Sequence, residues 1–349
     1  MRRVALWGAL GLTAAVTAAA AWGGTAANRP LLGVAGKADR FQAQTGQVST
    51  VRHVFLGWDQ GRAWGSPLDE QLAGLRPVPM IHIGTDRGRE RREAITPAGI
   101  AAGRGDGYLV ALNEAIARFG SATYVRFLAE MNNPKNLYAP VDAAGRSRGG
   151  SHSPAAYKRA FRRAYVILHG GDVDARLRAL GQKPLGRRLS HNPAVTVIWN
   201  PIAGMDSGSS RPAQQFYPGD RFVDMVGNDL YASRYGVASH AANEALYRAH
   251  PGKPYAIAEW GTSVDDPSFV RAICAFSRRG RARGSLPTTP DRRRTPSPTS
   301  RARGRRTAAA SRRSARVKGG QVLQGRKPPS TAEDCVNARP DPARSLGGS

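Results

Sequence analysis

Cysteine is nearly missing: the chain carries two, Cys274 and Cys335, in 349 residues. Two thiols so far apart supply neither a disulfide framework nor the clustered ligands of a structural zinc site, so stability must come from a buried core. Export would still permit the two to pair. Long apolar runs are scarce as well. After Trp22 no stretch approaches the ~20 apolar residues that cross a bilayer. No G-x-G-x-x-G follows the first strand candidate, which disfavours a dinucleotide-binding sheet. Aromatic residues are abundant until Phe276 and then stop, with no Phe, Trp or Tyr between Ser277 and Ser349.

That last region also holds 19 Lys+Arg against 4 Asp+Glu, more than half of the formal net charge of +27. Basic charge without aromatic platforms or helical periodicity is a poor match to a nucleic-acid-reading domain. Residues 277–349 read instead as a disordered, low-complexity basic tail, able at most to touch anionic surfaces weakly, with no specific nucleic-acid partner. At the other end, "MRRVALWGALGLTAAVTAAAAWGGTAA" places two arginines before an Ala-rich apolar run that ends in small residues, the layout of a secretory signal over residues 1–27. Cleavage is expected after Ala27, or after Ala20, giving a secreted protein. An uncleaved anchor from Val4 to Trp22 is the alternative reading.

Between residues 28 and 276 short apolar runs alternate with helical stretches. The strand candidates are residues 31–36, 53–58, 78–85, 124–132, 195–201, 223–231 and 255–262, and helices are expected over 107–120 and 153–170. Ser153 and Pro154 make a natural helix start and Gly170 a natural stop. "GRGDG" at 103–107 reads as a helix entry capped by Asp106 rather than as a phosphate cradle. Seven strands alternating with helices over about 250 residues predict an α/β fold of the (β/α)8 TIM-barrel type, expected to act as a monomer.

Two strand candidates end in glutamate: Glu130 in "YVRFLAEMNNP" and Glu259 in "YAIAEWGTS". Alone, Glu130 is an ordinary strand-end acid that could pair with Arg126, four residues back. Together, two such tips at a barrel mouth fit a retaining glycosidase, which needs a protonated carboxyl to release the leaving group and an ionised carboxylate to attack the sugar. Sugar rings also need flat apolar platforms, and Trp58, Trp199 and Trp260 stand at strand ends. His82, Arg126 and Asn200 are candidates for hydroxyl contacts, with Arg126 also suited to orient Glu130. This chemistry requires no cofactor and no metal, and its partner is a polysaccharide or oligosaccharide substrate.

The blocks "GDGYLVALNEAIARFGSATYVRFLAEMN", "VTVIWNP", "FYPGDRFVDMVGNDLY" and "KPYAIAEWGTS", in that order, resemble the family 26 glycoside hydrolases, the β-mannanase group of the (β/α)8 retaining glycosidases. The resemblance covers roughly residues 31–265. It implies Glu130 as acid/base, Glu259 as nucleophile and Tyr231 as the residue that hydrogen-bonds the nucleophile. The chain departs from the family at Ala129, where members commonly carry His, and in "NNPKNLY", where they carry Gly and Trp. Tyr138 is the candidate to replace the lost aromatic. The family would also continue past residue 276 into an eighth apolar strand, and no comparable run follows here. "GQVLQG" is the single weak candidate. A reading-frame shift near residue 277 would produce this composition from a GC-rich gene; a native envelope-binding tail is the other reading. A non-catalytic glycan-binding relative, or a protein that binds anionic polymer through its tail, are the functional alternatives.

Overall fold

The computed structural model describes residues 31–87, 92–204, 212–233, 236–237 and 239–280. The signal candidate, Cys335 and the chain beyond Gly280 lie outside the described residues.

All seven strand candidates form strands: β1 (Gly33–Ala35), β2 (Val51–Leu56), β3 (Val78–Ile83), β4 (Thr123–Phe127), β5 (Val195–Trp199), β6 (Met225–Ser233) and β7 (Tyr255–Thr262). They pair in chain order, every neighbour parallel, into one curled sheet. Parallel neighbours need crossovers, and helices supply most of them. The helices are α1 (Ala38–Thr45), α2 (Leu68–Ala73), α3 (Pro97–Ala101), α4 (Asp106–Phe119), α5 (Pro154–His169), α6 (Val173–Ala179), α7 (His240–Ala249) and α8 (Pro267–Gly280). Among the described residues no pairing joins β1 to β7, so the ring is open on that side. α8 runs through the composition change at Ser277.

Strand alternation divides the core in two. One face of the sheet contributes Val125, Phe127, Val197, Trp199, Leu230 and Ile257 to a large cluster with helix residues such as Leu112, Ile116 and Phe161. The concave face contributes a smaller cluster of Val51, Met80, Tyr124, Ile198, Met225, Ala256 and Ala258. One step further along the inward face the residues turn polar: His53, His82, Arg126 and Asn200 each stand two positions beyond a member of that apolar layer.

Ser153 caps α5, its hydroxyl accepting from the Ala156 amide at 3.2 Å. Gly170 closes it at φ 66°, where a Cβ would stand 2.0 Å from the Ser190 carbonyl oxygen. The expected cap at Asp106 is corrected. Gly105 holds the N-cap position, and Asp106 instead takes the buried Arg163 guanidinium in two 2.6 Å bonds, tying α5 to the start of α4.

Candidate active site

β4 was expected to extend through Glu130, but it ends at Phe127. Leu128 and Glu130 then adopt φ of 49° and 53°, a left-handed conformation that costs a non-glycine residue and persists only where surrounding bonds over-determine it. Those bonds are present. The Leu128 amide donates to Ile83 O at 3.0 Å and the Glu130 amide to Asn200 O at 2.6 Å, which staples the turn between β3 and β5. Tyr138 donates to Ala129 O at 2.5 Å and Asn136 to Glu130 O at 3.0 Å. Asn133 donates to the Glu130 carboxylate at 2.7 Å. The segment "NNPKNLY" therefore clamps Glu130 from below. Tyr138 is buried in that clamp and offers no platform to a sugar.

Glu259 reaches the concave face through an irregularity. The β6–β7 register slips between Ile257 and Glu259, so Ala258 is extra and both Ala258 and Glu259 lie inward. There the Glu259 carboxylate accepts from Arg126 and, at 2.5 Å, from the Tyr231 hydroxyl. Tyr231 thus occupies the position that the family resemblance implies.

Arg126 is fully buried and does not orient Glu130 by contact. Its guanidinium holds Glu259, Asp229 Oδ2 at 2.6 Å and Asn200 Oδ1 at 3.3 Å, and lies 3.2 Å from His53 Nε2. From β4, one side chain touches β2, β5, β6 and β7. Gly227 on β6 leaves the room: a Cβ there would lie 2.4 Å from Asn200 Oδ1.

The electrostatics follow from this one cation among three carboxyls. Burial pushes the Glu259 carboxyl up, but the Arg126 charge and hydrogen bond, with the Tyr231 hydroxyl, outweigh it and hold Glu259 below the ordinary value. Burial and then the Glu259 charge raise Glu130, against the opposing bond from Asn133. Asp229 is raised well above the usual range, first by burial, with Arg126 opposing and the other two carboxylates adding to the rise. Two neighbouring glutamates are thereby driven in opposite directions.

Asp229 was not among the expected residues. Its signal is an acid inside the strand candidate "VDMVGNDLY", two positions before Tyr231 and so on the same face of the strand. Asn133 and His53 were missed as well.

The aromatic platforms are corrected. Trp199 is fully buried on the helix side, edge-on to Tyr217 and His250. Trp260 pairs with Leu230 in register and packs against the same outer core, and Trp58 packs edge-on to Tyr108 there. None of the three rings lies on the concave face. Asn200 is inward but fully buried, with Oδ1 committed to Arg126, so it positions other groups rather than meeting a hydroxyl. His82 is inward and half-buried beside Phe55. Among the described residues no cluster of His, Cys, Asp and Glu has the arrangement of a metal site.

By sequence, no family model and no curated protein matches the chain. By structure it is similar to the family 26 glycoside hydrolase domain of a Prevotella bryantii endo-β-mannanase/endo-β-glucanase, with a TM-score of 0.51 and 15% identity, covering 77% of this chain and 86% of that one. The fold is that of the family 26 glycoside hydrolases. A longer chain of the same Prevotella bryantii protein gives 0.51 at 14% identity, covering 78% of this chain and 43% of that one. A Bacillus subtilis mannanase gives 0.48 at 17%, covering 76% and 80%.

Proposed function

We propose that the protein is a retaining glycoside hydrolase that cleaves β-linked polysaccharide of the mannan type or a related β-glycan, secreted and monomeric. This reading is carried by the two glutamates at the ends of β4 and β7, Glu259 bonded to Arg126 and Tyr231 and Glu130 to Asn133, with surroundings that push their titrations in opposite directions. Glu259, kept ionised by Arg126 and Tyr231, attacks the anomeric carbon, while Glu130, kept protonated by burial and by the Glu259 charge, hands its proton to the leaving oxygen. Esterification of Glu259 removes its negative charge. Glu130 then becomes the stronger acid, persists as carboxylate, and takes a proton from the water that attacks the glycosyl ester. Departure of the sugar restores both groups. The solved structures of similar fold include proteins described as mannanases, which supports a β-glycan as substrate.

Reducing-sugar release from mannan, glucomannan, lichenan and xylan tests the proposal. Release from at least one, abolished by Glu259→Ala, is expected. No release from any of the four, or release unaffected by Glu259→Ala, refutes it.

A further inference from the structure

A second concavity opens at the same end of the sheet as Glu130, between the loops that follow β2 and β3. Its volume is about 390 Å³, within the range of about 300–1,000 Å³ that small-molecule sites occupy. The two loops are joined by the Trp58 amide, which donates to Asp86 O at 2.7 Å. Trp58 and Ile95 are its most buried lining residues and give it an apolar inner wall.

Four charged residues line it: Asp59, Glu93, Arg87 and Arg104. Both acids are occupied. Asp59 takes Arg62 in two bonds of 2.5 and 2.7 Å, and Glu93 takes His152 Nε2 at 3.0 and 2.9 Å. Neither arginine has a carboxylate partner among the described residues. The exposed Arg104 lies with its guanidinium against Gly99, where a Cβ would meet Nη2 at 2.7 Å.

We propose that this pocket is a subsite for an acidic sugar: Arg87 and Arg104 bind the carboxylate of a uronic-acid unit carried by the β-glycan, while Trp58 and Ile95 meet the apolar side of its ring. The proposal rests on the glycosidase reading for the identity of the glycan chain, and on the pocket alone for the acidic branch. A guanidinium presents paired N–H groups that match a carboxylate, and two of them bind it in preference to a neutral hydroxymethyl group at the same position. Sugar faces carrying C–H bonds settle on apolar side chains, which the inner wall supplies.

The test measures binding of two β-glycan oligosaccharides of equal length, one bearing a single glucuronic-acid branch and one unbranched, to the full-length Glu259→Gln protein, so that binding is read apart from cleavage. The acidic branch is expected to tighten binding tenfold or more at low salt. About 1 M salt, where the screening length is about 3 Å, should erase most of that gain. The double variant Arg87→Ala/Arg104→Ala, both sites being exposed, should lose the gain while its circular dichroism stays native. Equal affinity for the two oligosaccharides, or a gain that survives the double variant, overturns the proposal. A sulfated branch that binds as tightly as glucuronate overturns its assignment to a carboxylate. Hydrolysis by the native protein is scored separately: a branch-dependent gain without any glycan cleavage supports the pocket and refutes the glycosidase reading instead.

Discussion

Replacing Arg126 by methionine removes the cation while filling most of the stem's volume. Asp229 and Glu259 lose their guanidinium contacts, and the buried Asn200 Oδ1 loses its donor. Truncating one partner of a buried pair costs about 3–5 kcal/mol, because the remaining charge stays desolvated. Against a typical total of about 5–15 kcal/mol, that is a large share of stability. With a urea m-value of about 2–3 kcal/mol/M, the midpoint at pH 7 should fall by on the order of 1–2 M. The deficit should depend on pH in a defined direction. In the native protein Glu259 lies below its unfolded value, so its contribution is present above that value and is lost as pH falls through the folded one. Without Arg126 both carboxyls take up protons on folding, so the penalty grows as pH rises above about 4, the unfolded carboxylate range. Asp229→Asn added to Arg126→Met should recover part of the loss, with a coupling of about 1 kcal/mol or more. Urea unfolding followed by circular dichroism from pH 4 to 8 reads all three effects. A penalty below about 1 kcal/mol at pH 7, a penalty independent of pH, or no recovery from the second substitution would refute the account of Arg126 as the hub of the layer.

Tyr231→Phe deletes the hydroxyl that donates to Glu259; a hydrogen bond to a charged group is worth about 1.5–3 kcal/mol, so kcat should fall about 10- to 100-fold and the acid limb of the pH profile should move upward. In the native enzyme that profile should be a bell. It falls on the acid side as Glu259 takes a proton below the usual carboxyl value, and on the alkaline side as Glu130 ionises above it, and a profile with no alkaline limb would contradict the assigned roles. Gly170→Ala forces a Cβ onto the Ser190 carbonyl at positive φ and should cost more than about 1 kcal/mol in a thermal melt, whereas Gly186→Ala, with open space around it, should cost less. Translating the two other reading frames of the gene downstream of Ser277 should reveal an apolar strand with aromatic residues; its absence from both would end the frame-shift hypothesis.

Much of the fold could be read from the chain because parallel strands buried on both faces are written as dense β-branched runs, and all seven runs became strands. The Tyr231–Glu259 contact was equally legible, since strand tips in this architecture converge. Trp199 and Trp260 stand away from the carboxyls for a reason already contained in the alternation. Trp199 adjoins Asn200 and Trp260 adjoins Glu259, and neighbours on a strand face opposite ways, so an inward Asn or Glu turns the adjacent ring outward. What the sequence could not show was phase. The left-handed turn at Leu128 and Glu130 is held by tertiary bonds to Ile83, Asn200, Tyr138 and Asn136, and the extra residue at Ala258 has no local signal. Arg126 was assigned to the wrong glutamate because sequence proximity favoured Glu130, whereas the partner it holds lies 133 positions away. Asp229 passed unnoticed because an acid inside a strand candidate carries no partner in its own neighbourhood.

Among the described residues nothing joins β1 to β7, so the sheet is a strip with two ends, and the ends are unequal. β1 offers a neighbour three residues, while β7 offers eight, from Tyr255 to Thr262. A strip can be lengthened, and a strand laid along β7 would brace the wall that carries Glu259 from its unsupported flank. If the protein acts as proposed, a peptide laid along that edge would stiffen the wall that carries Glu259 without touching the substrate.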